Sequence, residues 1–236
     1  MPPIQGPMTK LFSALLAISL AGCGIAPQTS LVAKRSTLMK ARSLTAESLY
    51  PLEPGARWQY QTTSRSGDDP ERPGPVQVFT LVQVGAASGS MQAVMERRFG
   101  DRQMPSTLIE RTSDSVTLSR YQKPEDGSIT VLKWPLTPGA SWPGRTWPQA
   151  QETIQYAGTE SIRVPAGTYE AARMDHLIRY QTGSTDELHY WYAPGVGMVK
   201  AIEGLTVDLG QGPVLHQVTC ELTSYAVASG SVGLEP

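Results

Sequence analysis

The stretch ESIRVPAGTYEAARMDHLIRYQTGSTDELHYWYAPGVGMVKAIE, residues 160–203, decides the fold. Its short runs alternate apolar and polar side chains with a period of two, which is typical of strands that have one buried face. Pro165 and Gly167 predict a tight hairpin, and Pro194 followed by Gly195 predicts a type II turn. The stretch therefore predicts an antiparallel meander of three or four strands.

The same alternation extends through the chain after Tyr50, in runs such as RWQYQT, VQVFTLVQV and VLHQVTCELTSY. No long window in this part repeats its apolar residues with the 3.6-residue period of an amphipathic helix. The sequence predicts one all-β domain over residues 49–227, mainly antiparallel, with about 10–11 strands. We expect a single curved sheet, a half-barrel or a sandwich, followed by a loose tail at residues 228–236.

Two octapeptides nearly repeat each other, PLEPGARW at residues 51–58 and PLTPGASW at residues 135–142. In each, prolines stiffen the backbone, a glycine permits a turn, and a leucine and a tryptophan can attach the segment to the core. The first leads into an alternating run, whereas the second leads into PGRTWP, which does not resemble a strand. We therefore expect two similar anchoring segments in one domain, and not a duplicated domain.

The first 22 residues have the features of an export signal. Lys10 precedes an uncharged apolar run from Leu11 to Ala21, which is too short for a membrane-spanning helix of roughly 20 residues. The run ends in LAGC, which resembles the lipobox of bacterial lipoproteins, where the chain is cut and Cys23 is lipidated. The alternative is an ordinary signal peptide with a cysteine there by chance. Met1 and Met8 both remain candidate initiators.

Residues 23–48 are predicted to be the lipidated cysteine and a flexible basic tether. The tether either lies on anionic lipid head groups or serves as a spacer. Several acyl chains on Cys23 would make the membrane a stable partner. We therefore predict a lipid-anchored protein of the bacterial cell envelope. Gly24, where an aspartate would favour inner-membrane retention, favours the outer membrane in a Gram-negative host.

Charge and cysteine content exclude several classes of protein. The chain has 20 basic and 21 acidic residues, so it carries no positive excess with which to bind nucleic acid. It has two cysteines, and lipidation of Cys23 would leave Cys220 without a disulfide partner. We expect Cys220 to face the core as a small apolar residue.

No enzyme motif such as HExxH, a P-loop, CxxC or GxSxG occurs in the chain. Glu187 and His189 share a strand face, but a metal site needs three or four converging ligands, and nothing brings His176 or His216 there. We predict no metal, no cofactor and no catalytic residues. A glycan hydrolase, the less favoured alternative, would draw on carboxylates such as Glu152, Asp175 and Glu187.

Large aromatic residues are the remaining candidates for a binding site. The segment KWPLTPGASWPGRTWP concentrates tryptophans among prolines that keep it out of a central strand. Exposed rings could contact sugars or acyl chains, whereas buried rings would fill the sheet, and the second arrangement is favoured. The candidate ligand-facing side chains are Trp58, Tyr60, Trp142, Trp147 and Trp191.

The order of these segments resembles an uncharacterised family of bacterial exported proteins and lipoproteins. Its members carry PLxxGxxW near the mature start and often again near the middle, then VPAGTY/F and YAPGVGxVK. Here those motifs are residues 51–58, 135–142, 164–169 and 192–200. The resemblance implies a curved β-sheet similar to the LolA/LolB carriers, and it implies no catalytic residues.

These observations favour a non-enzymatic, membrane-anchored lipoprotein whose β domain is a binding or scaffold module of the envelope. An envelope protein would then be its partner. The alternative is a carrier or sensor of a hydrophobic ligand, with the aromatic residues lining the concave face of the sheet.

Overall fold

The computed structural model describes residues 44–123, 127–208 and 212–227. The predictions for the signal peptide, for lipidation of Cys23, for most of the tether and for the tail at residues 228–236 concern residues outside this part.

The described part contains one short helix and thirteen strands. The helix α1 spans Ala46–Leu49, and the strands are β1 (Arg57–Ser66), β2 (Arg72–Pro73), β3 (Gln77–Ala87), β4 (Ser90–Phe99), β5 (Arg102–Arg111), β6 (Ser115–Arg120), β7 (Ser128–Lys133), β8 (Ser141–Trp147), β9 (Ala150–Val164), β10 (Gly167–Tyr180), β11 (Thr185–Ala193), β12 (Gly197–Asp208) and β13 (Pro213–Ala226).

The strands form one antiparallel sheet, in the order β7-β6-β5-β4-β3-β1-β13-β12-β11-β10-β9-β8, with β2 paired to β1. The sheet curves until it nearly closes into a barrel, with β7 and β8 at its open edges. The predicted all-β antiparallel class is confirmed, and so is the meander over residues 160–203. The strands missing from the sequence prediction are the two-residue β2 and the proline-containing β8.

Each octapeptide opens a six-stranded meander of the same plan. The first half of the sheet is β1 followed by β3 to β7, and the second half is β8 to β13. The prediction that the second octapeptide leads into no strand was therefore wrong. The sequence is misleading there because Pro143 removes a backbone donor, and β8 tolerates that loss as an edge strand paired only with β9.

The two octapeptides make the same turn and the same contacts. Gly55 and Gly139 have positive φ angles of 73° and 88°, which glycine adopts without strain. The N–H of Gly55 donates to Leu81 O on β3 at 3.1 Å, and Leu81 N–H donates back to the next residue of the turn at 2.9 Å. Gly139 and Tyr156 of β9 repeat this exchange at 2.8 and 3.0 Å. Both octapeptides thus anchor the first strand of a meander in one domain, as expected.

Helix α1 lies against one end of the sheet. The Thr45 side chain caps its first turn, and Leu49 is fully buried. Ser48 O accepts a hydrogen bond at 2.6 Å from the N–H of Gly195, in the predicted type II turn between β11 and β12. The helix therefore places the end of the predicted tether in the packed domain. None of the helices within the described ranges combines the length and apolar character that crossing a bilayer requires.

The hydrophobic core fills the interior of the sheet near α1. Strand alternation turns one face of every strand inward, and both meanders contribute to the core. The largest fully buried side chains are Tyr60, Leu49, Leu81, Ile109, Leu132, Ile154, Met174 and Leu222.

Candidate functional site

Three of the aromatic residues singled out in the sequence belong to the core. The indole N–H of Trp58 donates to Val196 O at 2.6 Å, and the hydroxyl of Tyr60 donates to Met198 O at 2.9 Å. Trp58 is 6% exposed and Tyr60 is 1% exposed. Because their polar atoms are paired within the chain, these side chains attach β1 to the turn and strand that follow β11.

Trp142 makes the same kind of contact across the open edges of the sheet. Its indole N–H, on β8, donates to Thr130 O on β7 at 2.7 Å, and the ring is buried. No backbone ladder joins these two strands in the described residues. The Trp142 side chain therefore supplies a specific link that holds the two meanders together at this edge.

The remaining two tryptophans lie elsewhere. Trp147 ends β8 and is only partly buried. Trp191 lies on the outer face of β11, where its indole N–H donates to Glu160 and Lys200 lies 6.0 Å from its ring centroid. Polar side chains thus cover Trp191 on the convex surface, away from the interior of the sheet.

A group of polar side chains lines the interior beyond the hydrophobic core. We call it the lumen cluster and define it as Arg97, Glu152, His176, Tyr190 and Glu203. Each follows a core residue at the two-residue spacing of a strand, as His176 follows Met174, so the same backbone alternation that buries the core turns these groups inward. They come from β4, β9, β10, β11 and β12, and so from both meanders.

Glu152 and His176 form a buried pair at the centre of the cluster. Both residues are 4% exposed, and Glu152 Oε1 lies 2.7 Å from His176 Nδ1. The other oxygen, Oε2, accepts a bond at 2.9 Å from the backbone N–H of Arg145 on β8. A Cβ atom at position 144 would lie 2.6 Å from Glu152 Cγ, so only Gly144 leaves room for the carboxylate.

These hydrogen bonds decide the charge of Glu152. Burial alone would raise the pKa of the carboxyl group, but the bonds from His176 and from the Arg145 backbone hold the pKa below its ordinary value. With Glu152 ionised, His176 Nδ1 carries the proton and donates it to the carboxylate. His176 Nε2 then faces away from Glu152, and this buried nitrogen has no hydrogen-bond partner among the described residues.

Tyr190 connects this pair to the rest of the cluster. Its ring centroid lies 4.6 Å from that of His176, and its hydroxyl donates to Glu203 Oε1 at 2.8 Å. Burial, together with the adjacent carboxylate, raises the pKa of Tyr190, so the hydroxyl stays protonated as a donor.

Arg97 reaches the cluster from the opposite meander. Desolvation lowers the pKa of its guanidinium group, and the charge of Glu203 partly offsets the effect. Its Nε atom is buried and has no hydrogen-bond partner in the described part of the chain. The cluster therefore has two carboxylates that are already bonded, and two nitrogen atoms that are not.

Cys220 lies beside the cluster and is 5% exposed, which confirms the prediction that it faces the core. Gln77 Nε2 lies 3.3 Å from its sulfur. Burial, helped by the charge of Glu203, raises the pKa of the thiol to about 12.

We expect this thiol to be inert in the folded protein. In a Cys23→Ala chain, Cys220 is the sole cysteine. At pH 8 it should react with a thiol reagent roughly 10³-fold more slowly than after unfolding in urea, because so little thiolate forms. Folded and unfolded rates within tenfold of each other would contradict the burial of this thiol.

The other titratable residues singled out in the sequence do not join the lumen cluster. His189 Nδ1 lies 2.7 Å from Asp175 Oδ1 on the outer face, and Glu187 is exposed there. His216 Nδ1 lies 2.8 Å from the Ser66 hydroxyl. The strands thus separate Glu152 from the two other carboxylates of the hydrolase hypothesis. Within the described ranges, no three His, Cys, Asp or Glu side chains are placed to hold a metal ion.

Sequence reasoning considered Glu152 and His176 separately and missed the cluster. Part of the signal was available, because each is a polar residue at an inward position of an apolar stripe, Glu152 before Ile154 and His176 after Met174. Arg97 offers no such signal, since its neighbour Arg98 is chemically identical and only the register of β4 decides which of them points inward.

A family model described as DUF3108-like matches residues 154–203, which include the VPAGTY and YAPGVGMVK motifs. No curated protein matches the chain. Two solved structures are similar to it. One is described as an exported protein with a YmcC-like fold from Bacteroides fragilis, with 14% identity, a TM-score of 0.49, and coverage of 76% of this chain and 99% of that one. The other is described as a lipoprotein from Parabacteroides distasonis, with 13% identity, a TM-score of 0.48, and coverage of 78% and 100%.

Proposed function

We propose that this chain is a lipoprotein of the bacterial envelope, anchored through Cys23, and that its β domain is a non-enzymatic binding or scaffold module. The anchor rests on the sequence alone. A charged start, an apolar run, small residues and a cysteine follow each other there in the order that lipoprotein processing requires.

The observation that carries the choice of module is the filling of the barrel interior. The candidate aromatic residues Trp58, Tyr60 and Trp142 are buried and use their polar atoms to join strands and turns of the same chain. Binding of a hydrophobic ligand by these rings would require the core to open. A rigid module with a small polar site therefore agrees better with the packing than a carrier of acyl chains.

The anchor has a direct test. Radiolabelled palmitate should label the wild-type protein in cells and should not label a Cys23→Ala variant, because the thiol carries the lipid. Export of the variant, detected with an antibody in a spheroplast supernatant, controls for its synthesis. Equal labelling of the two proteins, or no labelling of the wild type, would refute the lipid anchor.

A further inference from the structure

The lumen cluster has an imbalance that its own residues do not resolve. Glu152 accepts hydrogen bonds from His176 and from the Arg145 backbone, and Glu203 accepts one from Tyr190. Arg97 forms no ion pair or hydrogen bond with the described residues, and its Nε is buried. The cluster thus contains two engaged carboxylates and one cation with unfilled donors.

Such an arrangement is costly in the absence of a ligand. A charged group removed from water loses several kcal/mol of hydration unless a partner replaces it. Folding alone would favour an apolar residue at position 97, since Met95 on the same face of β4 is packed in the core. An inward arginine without a partner is therefore better explained by something that the interior binds.

The two unfilled nitrogen atoms indicate the chemistry of that ligand. A guanidinium group presents a planar set of N–H donors that matches the oxygens of a carboxylate or a phosphate. His176 Nε2 has the opposite need: while Nδ1 donates to Glu152, Nε2 is an acceptor and requires a donor. A partner that satisfies both groups carries negative oxygens and a hydroxyl.

We propose that the lumen cluster binds a phosphate group, with Arg97 donating to its negative oxygens and His176 Nε2 accepting from its P–OH group. This proposal rests on the binding-module function and gives it a ligand class. The phosphate belongs either to the free ion or to a phosphomonoester such as the head of glycerol 3-phosphate. Both present the same oxygens to the site.

The test is an NMR titration of the exported, full-length Cys23→Ala protein. Inorganic phosphate and glycerol 3-phosphate, added separately at constant ionic strength, should shift the Arg97 Nε–Hε and His176 ring signals in a saturable manner. If only the ester saturates the site, the ligand is a phosphorylated molecule, and if both saturate it equally, the free ion suffices. Failure of both to saturate the wild-type signals would overturn the proposal.

Arg97→Gln and Arg98→Gln are matched variants, because the two arginines are neighbours on β4 and only the first points inward. Arg97→Gln should weaken phosphate binding at least tenfold, and Arg98→Gln should leave the dissociation constant within twofold of wild type. Equal weakening by both variants would reduce the effect to surface charge and overturn the site.

Two further measurements separate binding from structural and salt effects. Sulfate has the negative oxygens but no hydroxyl donor at neutral pH, so it should bind at least tenfold more weakly, and equal binding would overturn the role of His176. In anion-free buffer, Arg97→Gln should unfold at the same or a higher temperature than wild type. A large loss of stability would show that Arg97 already has a partner within the chain, and would overturn the proposal. None of these results depends on lipidation, which the palmitate experiment tests separately.

Discussion

Trp58→Ala and Trp142→Ala should each lower the free energy of unfolding by about 3–5 kcal/mol, the usual loss for truncating a buried tryptophan. Each substitution removes a ring that is 6% exposed, together with a hydrogen bond to a backbone carbonyl. For a domain of this size the melting temperature should fall by roughly 2–4 °C per kcal/mol. Urea titration followed by circular dichroism measures both effects.

Trp147→Ala is the matched control, because Trp147 lies on the same strand as Trp142 but is only partly buried. It should cost no more than about 1 kcal/mol. Trp142→Phe, which keeps most of the buried ring but loses the bond to Thr130, should have an intermediate effect. If truncation of Trp58 and of Trp142 both left the melting temperature unchanged, the two octapeptides would not be anchors of the fold.

Glu152→Ala and His176→Ala should each destabilise the domain by about 3–5 kcal/mol, since removal of one member of a buried pair strands the other. Glu187→Ala, on the exposed outer face, is the control and should change stability by less than about 0.5 kcal/mol. A double substitution, Glu152→Met with His176→Leu, should recover much of the loss because no unpaired polar group remains. Single substitutions without effect would show that the pair is not buried as described.

The same pair gives the stability a defined dependence on pH. The carboxyl pKa of Glu152 is lower in the folded chain than its ordinary value of 4.5. Its stabilising contribution is therefore complete above that value, and it is lost as the pH falls through the lower folded pKa. We expect the free energy of unfolding of the wild type to decrease more steeply in acid than that of Glu152→Gln. Identical slopes would contradict the lowered pKa.

The fold was largely predictable because its determinants are local. Period-two alternation identifies eleven of the strands, and Pro194 with Gly195 identifies a turn through the φ angles that these residues accept. Strand β8 was not predictable in this way, because Pro143 excludes a central strand but permits an edge strand. Which strand becomes an edge depends on the closure of the whole sheet.

The lumen cluster was less predictable, since its members meet only when distant strands curve together. Glu152 and His176 are 24 residues apart, and Arg97 belongs to the other meander. The aromatic residues illustrate the opposite case. Their size correctly favoured burial for Trp58, Tyr60 and Trp142, but sequence did not identify Val196 O, Met198 O and Thr130 O as the atoms that they bind.

Native mass spectrometry of the exported Cys23→Ala protein, purified without detergent, is the most direct test of the central claim that the β domain is a packed module and not a lipid carrier. The filled interior predicts a spectrum without any acyl-chain adduct, in which phosphate-containing species are the sole small-molecule adducts and disappear in Arg97→Gln. A fatty acid or phospholipid bound in stoichiometric amount by its acyl chains would contradict the account.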